Sequence, residues 1–235
     1  WTLRELNSKG TKLSELRKTK ESMLSTIYSM LCVCLGNPPE SFNWQTSDKD
    51  KKFMRFNGLT PIDFYRKHVG VKLKDKVCLI HAPMSNKKMN ELYTVSYLGN
   101  VVGGQIINYA NVEIDDMKRA AIKSIKNNEA VWFGCDVGKM FHRDVGVMDT
   151  DLYNYELVFG IDSEMDKSTK LEYGDSQMTH AMLFTGVDIK ANKSTKWRVE
   201  NSWGDKNGDK VYYLMSDSWF DEYNYEVVVD KKYLS

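Results

Sequence analysis

What this 235-residue sequence lacks narrows its function before any motif is considered. No apolar run approaches the roughly 18 residues that a membrane-spanning helix requires, and the opening Trp1-Thr2-Leu3-Arg4-Glu5-Leu6 has no basic-then-apolar leader layout. The chain is therefore expected to be soluble, free of membrane and not secreted, so the sequon Asn192-Lys193-Ser194 carries no weight. Cysteine is scarce: Cys32, Cys34, Cys78 and Cys135 are too few for a disulfide scaffold and fit no zinc spacing. They read as reduced thiols of a cytoplasmic protein. An excess of one charge is missing too, because 33 Lys and Arg stand against 32 Asp and Glu. The formal charge of +1 provides no global field toward nucleic acid or anionic lipid. Also absent are a His-Glu-x-x-His helix, a Gly-x-Ser-x-Gly elbow, a Gly-x-x-x-x-Gly-Lys loop and a Gly-x-Gly-x-x-Gly turn. Zinc peptidases, elbow-type serine hydrolases and nucleotide-driven enzymes drop out as leading ideas.

The 42% of hydrophobic residues suffices for a real core, and their order suggests helices first and strands afterwards. Leu13, Leu16, Met23, Leu24, Ile27, Met30, Leu31 and Cys34 recur at helical spacing after Gly10-Thr11 and stop at Gly36-Asn37-Pro38-Pro39. The segment 41–56, with the run Asp48-Lys49-Asp50-Lys51-Lys52, reads as a solvated loop. A second helix is expected from Thr60-Pro61-Ile62-Asp63 to Val69-Gly70, with Thr60 as cap. Strands are expected at 77–80 and 93–98, with turns at 82–90 and Gly99-Asn100, and a helix at 115–126. Further strands are expected at 130–135, 155–159, 180–187, 196–200, 211–215 and 225–229, with a short helix capped by Ser216 or Asp217 before the last. The fold class is thus α+β, with a helical part over residues 1–75 and a β-rich part over 76–235 built on an antiparallel sheet or barrel.

Two segments could carry chemistry: Met178-Thr179-His180-Ala181-Met182-Leu183-Phe184 and Trp197-Arg198-Val199-Glu200-Asn201-Ser202-Trp203-Gly204. Alone, His180 reads as a satisfied half-buried histidine and Asn201 as a turn residue. Together they sit at the ends of neighbouring strands joined by a connection of 20 residues. A cysteine-type hydrolase needs an imidazole to take and return the thiol proton, and a third group to fix the ring's tautomer and direction. An asparagine carbonyl does this without adding charge, and Trp203 is placed to shield the pair from water. Arg198 and Glu200 read as structural.

Asn201-Ser202-Trp203-Gly204 after a strand, with a strand-borne His180 before it, resembles the His…Asn signature of papain-like cysteine peptidases. Longer strings resemble the bleomycin hydrolase and aminopeptidase C group within them. These are Cys34 to Glu40, Asp48 to Lys51, Leu92 to Val95, Val102-Gly103-Gly104, Glu129 to Lys139, Met178 to Met182, Lys196 to Gly204 and Trp219 to Asp230. The resemblance spans essentially the whole chain. It implies a papain-like fold, here incomplete, and a hydrolase that uses neither ATP nor metal nor any other cofactor, trims amino-terminal residues from peptides, and also cleaves the amide of bleomycin. It assigns His180 as general base and acid, Asn201 as its orienting partner and Trp203 as their cover. Cys135 and Asp136 become candidate neighbours of the substrate groove. It also implies homohexamers, some with a basic channel for nucleic acid, to which the near-zero charge here lends no support.

The resembled family carries its nucleophile in a Gln…Cys-Trp context at a helix amino end, where the dipole lowers the thiol pKa. No such context occurs here. Cys34, the tempting substitute, falls at the carboxyl end of its helix on the apolar face; Cys32 shares that helix, and Cys78 reads as a core hydrophobe. The expectation is a carboxyl-terminal part of a cysteine aminopeptidase, inactive by itself and ending before the terminal arm that restricts the family to chain ends. The competing expectation is a non-catalytic interaction or oligomerisation module of the same fold.

Overall fold

The structure is a computed structural model that describes residues 1–99, 103–161 and 165–234. Asn100 of the expected turn, Val102 of the quoted string and Ser235 lie outside the described residues. The chain divides into two compact units, 1–71 and 72–235.

The first unit begins with helix α1 (Thr2–Ser8), which the sequence reading did not anticipate, and helix α2 (Leu13–Leu35), which it did. Helix α2 buries none of its residues and ends at Gly36, whose φ of 84° no β-carbon favours. The expected loop over 41–56 is instead a hairpin of strands β1 (Phe42–Ser47) and β2 (Phe53–Leu59), so the part expected to be helical contains a sheet. The charged run does form its turn: Asp48 Oδ1 accepts from the amides of Asp50 and Lys52, both at 2.9 Å. That run masked the alternation on either side, which sends Trp44 and Phe56 to one face, where their rings stack at 5.4 Å. Helix α3 (Pro61–Phe64) follows as expected. The Thr60 hydroxyl accepts from the Asp63 amide at 3.1 Å and donates to its carboxylate at 2.8 Å, which holds that carboxyl below its usual range. It continues as a π-helical turn to Val69 and stops at left-handed Gly70.

The second unit holds strands β3 (Lys76–Ile80), β4 (Glu91–Tyr93) and β5 (Tyr109–Asn111), then helix α4 (Ile114–Lys126) and strand β6 (Val131–Cys135). Next come β7 (Phe141–His142), β8 (Val147–Met148), helices α5 (Tyr155–Phe159) and α6 (Lys167–Tyr173), and strands β9 (His180–Lys190), β10 (Lys193–Glu200) and β11 (Tyr212–Ser216). Helix α7 (Asp217–Tyr223) and strand β12 (Asn224–Asp230) close it. One sheet runs β4-β5-β3-β12-β6-β9-β10-β11-β8-β7, antiparallel except where β3 meets β5 and β11 meets β8.

Two expected strands are corrected. Residues 155–159 are helical because the Asn154 side chain caps the Leu157 amide at 2.8 Å and Gly160 terminates in the left-handed region. A five-residue apolar run is ambiguous between the two states, and the caps decide it. The strand expected over 93–98 ends at Tyr93, because its partner β5 is only three residues long and Tyr97 adopts a φ of 63°.

The core lies between this sheet and helices α4 and α7. Met117 and Ala121 of α4 pack on Val131, Phe133, Met182, Phe184, Val227 and Val229 of the central strands. Phe133 and Phe184 stack at 3.8 Å, and Trp197 and Phe220 at 4.7 Å. Ser216 caps α7, turning Trp219, Phe220 and Tyr223 inward. Beside this core, the buried Lys167 donates from Nζ to the carbonyls of Asp221 at 2.8 Å and Asn224 at 2.6 Å, under the Tyr225 ring.

Candidate active site

Strands β9 and β10 form one hairpin, turned through Ala191 and Asn192 at φ 47° and 66°. His180 is the first residue of β9 and Asn201 the first after β10, so the hairpin's open end brings both to one rim of the sheet. The ladder ends with Glu200 opposite Leu183, three residues from His180, so Asn201 leaves it on the side of His180. Even spacing from His180 to Met182 and Phe184 keeps the imidazole on the core-facing side, where β6 sets Cys135 opposite His180.

His180 Nε2 lies 3.1 Å from Asn201 Oδ1. The same oxygen accepts the Ser202 amide at 2.7 Å, and the Asn201 amide donates to the Val211 carbonyl at 3.0 Å. A backbone N–H can only donate, so the carboxamide oxygen is fixed as the acceptor toward the ring. Nε2 must then carry the proton, and in the neutral ring the basic lone pair is on Nδ1. Nδ1 has no hydrogen-bond partner among the described residues. Asn201 is buried, and its Nδ2 lacks a partner among the same residues. Trp203 covers the pair, its ring centre 4.5 Å from that of His180, and the Arg143 guanidinium lies 4.5 Å from the Trp203 ring centre.

His180 is also held from the side of β6. Asp136, just past that strand, accepts from the Ser176 hydroxyl at 2.8 Å, the Gln177 amide at 3.2 Å and the Thr179 hydroxyl at 3.2 Å. Ser176 in turn contacts the Tyr225 hydroxyl at 2.5 Å. The carboxylate thereby ties down the segment that leads into His180. Asp136 is buried in this network, and Cys135 is wholly buried in the core, so neither presents its side chain to solvent. Arg198 donates to the Thr185 hydroxyl and carbonyl, both at 3.1 Å, across the sheet surface.

The two thiols of the second unit are both poorly suited to act as a nucleophile at Nδ1. Cys135 is the neighbour of His180 in register, yet burial, with the Asp136 charge added, pushes its thiol well above the ordinary range. Burial first, and then Glu226, raises Cys78 to about 11. Cys32 and Cys34 belong to the first unit, at the carboxyl end of α2. Sequence reasoning missed Arg143 and the bracing role of Asp136, whose contacts join segments far apart in the chain.

A family model described as Peptidase C1-like family matches residues 1–235. Bleomycin hydrolase of Homo sapiens is 48% identical over 238 residues, covering 99% of this chain and 52% of that protein. Aminopeptidase C of Listeria innocua is 46% identical over 216 residues, covering 92% and 49%. The crystal structure of PepW from Lactobacillus rhamnosis HN001 matches with a TM-score of 0.94 and 45% identity, over 100% of this chain and 52% of that one. The chain spans about half the length of the curated relatives it matches. Over that span the architecture is the papain-like α+β fold, as expected.

Proposed function

The chain belongs to the Peptidase C1-like family, and on that premise we propose that it supplies the histidine and asparagine of a cysteine-type aminopeptidase whose nucleophilic cysteine lies outside these 235 residues. The observation that carries the reading is the 3.1 Å contact between His180 Nε2 and an Asn201 oxygen whose orientation the Ser202 amide fixes. With Nε2 protonated, Nδ1 takes the proton of an incoming thiol, and the thiolate attacks the carbonyl of the scissile amide. The imidazolium then gives that proton to the leaving amine as the C–N bond breaks. Water, deprotonated by the same nitrogen, releases the acid from the thioester and returns the thiol. Asn201 keeps the ring in the right tautomer without a charge, and Trp203 shields their hydrogen bond. The substrates are peptides trimmed from the amino end, and bleomycin by likeness to the relatives that carry its name. The setting that fits is a reducing cytoplasm, in keeping with the four free thiols. No helix among the described residues is long and apolar enough to cross a membrane. Assembly into homohexamers belongs to this reading, with nucleic acid unsupported by the balanced charge.

The test compares the chain alone with the full-length protein. Alone it turns over no aminoacyl substrate and reacts with a peptidyl thiol-reactive probe only as an ordinary exposed thiol does at Cys34, independently of His180; full length, it cleaves, and His180→Ala abolishes cleavage. Turnover by the chain alone, or full-length activity that survives His180→Ala, sinks the proposal. A full-length protein that assembles but never cleaves leaves the assembly-module reading, which the exposed apolar row Leu24, Ile27 and Leu31 of α2 favours.

A further inference from the structure

We propose that Arg143 recognises a carboxylate on the departing part of the substrate, so that cleavage favours leaving groups bearing a free carboxyl terminus or an acidic side chain near the scissile bond. The inference rests on the reading of His180 as base and acid. The residue sits in the turn between β7 and β8, and that turn is built onto the loop that follows Asn201. The Gly208 amide donates to the Asp144 carbonyl at 3.3 Å, and the Leu214 amide to the Gly146 carbonyl at 2.8 Å. A β-carbon on Gly146 would stand 2.6 Å from Gly208 Cα, and one on Gly208 would stand 2.5 Å from the Tyr212 carbonyl oxygen. Both glycines have positive φ, 76° and 67°. The bare α-carbon of Gly146 lets the turn approach the loop backbone at Gly208, and that of Gly208 lets the loop fold closely on Tyr212.

That contact lays the Arg143 guanidinium on Trp203, and Trp203 lies on His180, each at 4.5 Å. The guanidinium is thus no farther than about 9 Å from the imidazole centre. It is exposed and pairs with no carboxylate among the described residues. Stacking on the indole holds the guanidinium while leaving N–H groups at its edge for two parallel hydrogen bonds to a carboxylate. The geometry of proton return fixes which part of the substrate it meets. His180 must reach the leaving nitrogen, so the groups packed on its ring flank the departing segment. Each extended residue advances a chain by about 3.3–3.6 Å, which brings the carboxylate of a one- or two-residue leaving group within reach.

The experiment measures kcat/KM of the full-length enzyme on aminoacyl-alanine as free acid and as amide, and on aminoacyl-Glu-amide against aminoacyl-Gln-amide. The acid in at least one pair is preferred by roughly tenfold at low salt, the size of one exposed charge-assisted contact. Arg143→Met brings that ratio close to one, and Arg143→Lys retains part of it. Which pair loses its preference identifies the terminal or the side-chain carboxylate as the group bound. A merely structural role for Arg143 would slow acid and neutral partner alike. Ratios indifferent to Arg143→Met overturn the inference and leave the active-site reading standing. Failure to cleave any of the four overturns that reading, and this inference with it.

Discussion

Lys167 lies in the interior of the second unit, and the pH dependence of stability is where its burial becomes measurable. Burial brings its pKa down from 10.5 to about 7, an effect that the charges of Glu222 and Asp221 only partly offset. Between those values the unfolded chain binds a proton here that the folded chain does not, so stability rises with pH across that window. Below pH 7 both states are charged and the whole cost of burial is present; above 10.5 it is gone. At 1.36 kcal/mol per pH unit the swing amounts to about 5 kcal/mol. Lys167→Met deletes the titration and leaves the carbonyls of Asp221 and Asn224 without this donor, at a pH-independent cost of about 2–3 kcal/mol. The variant is therefore more stable than the parent at pH 6 by about 2 kcal/mol and less stable at pH 10 by a similar amount. Urea unfolding followed by tryptophan fluorescence at pH 6, 8 and 10 gives both curves, and taking their difference cancels the other titrating groups. A difference that moves by less than about 1 kcal/mol over that range would refute the argument that burial, unmatched by a carboxylate on Nζ, dominates this site.

Three further outcomes are expected. Asn201→Ala in the full-length enzyme lowers kcat/KM by about 10–100-fold, because it frees the ring's orientation, with little change in melting temperature, because water replaces the lost acceptor at the exposed Ser202; steady-state kinetics beside a thermal scan checks both. Gly208→Ala forces a β-carbon against the Tyr212 carbonyl at positive φ and costs about 2–4 kcal/mol, whereas Gly160→Ala, with positive φ and open space around it, costs only about 1 kcal/mol; their urea midpoints make the comparison. Iodoacetamide at neutral pH modifies the exposed Cys34 and spares Cys135 until urea is added, as peptide mass spectrometry would reveal; native labelling of Cys135 contradicts its burial.

Legibility followed the physics of each signal. Helix α2, strand β6 and the β9–β10 pair announce themselves because long periodic runs and core-facing alternation survive in the sequence. His180 and Asn201 were legible for the same reason: a strand start and a strand end fix their positions, and one hairpin joins them. The β1–β2 hairpin was hidden by the charges of its own turn, and α5 by a run too short to declare a period. Arg143 and Asp136 were out of reach for a different reason. Their partners lie far along the chain, Ser176 forty residues from Asp136 in the sequence, and the contacts depend on packing rather than on pattern.

The mouth of the β9–β10 ribbon is flanked on both sides, by β6, which pairs Cys135 with His180, and by β11, which pairs Tyr212 with Glu200. The imidazole and carboxamide sit at that mouth, past the ribbon's last pair Glu200↔Leu183 and farthest from Ala191 and Asn192. Each leg of the ribbon also has its own fastening: the Asp136 carboxylate on the leg that begins at His180, and the glycine-to-glycine seat at 146 and 208 on the leg that runs on past Asn201. Loosening either one should part His180 from Asn201 without unwinding the turn, so on the proposed reading activity would be lost before the fold is.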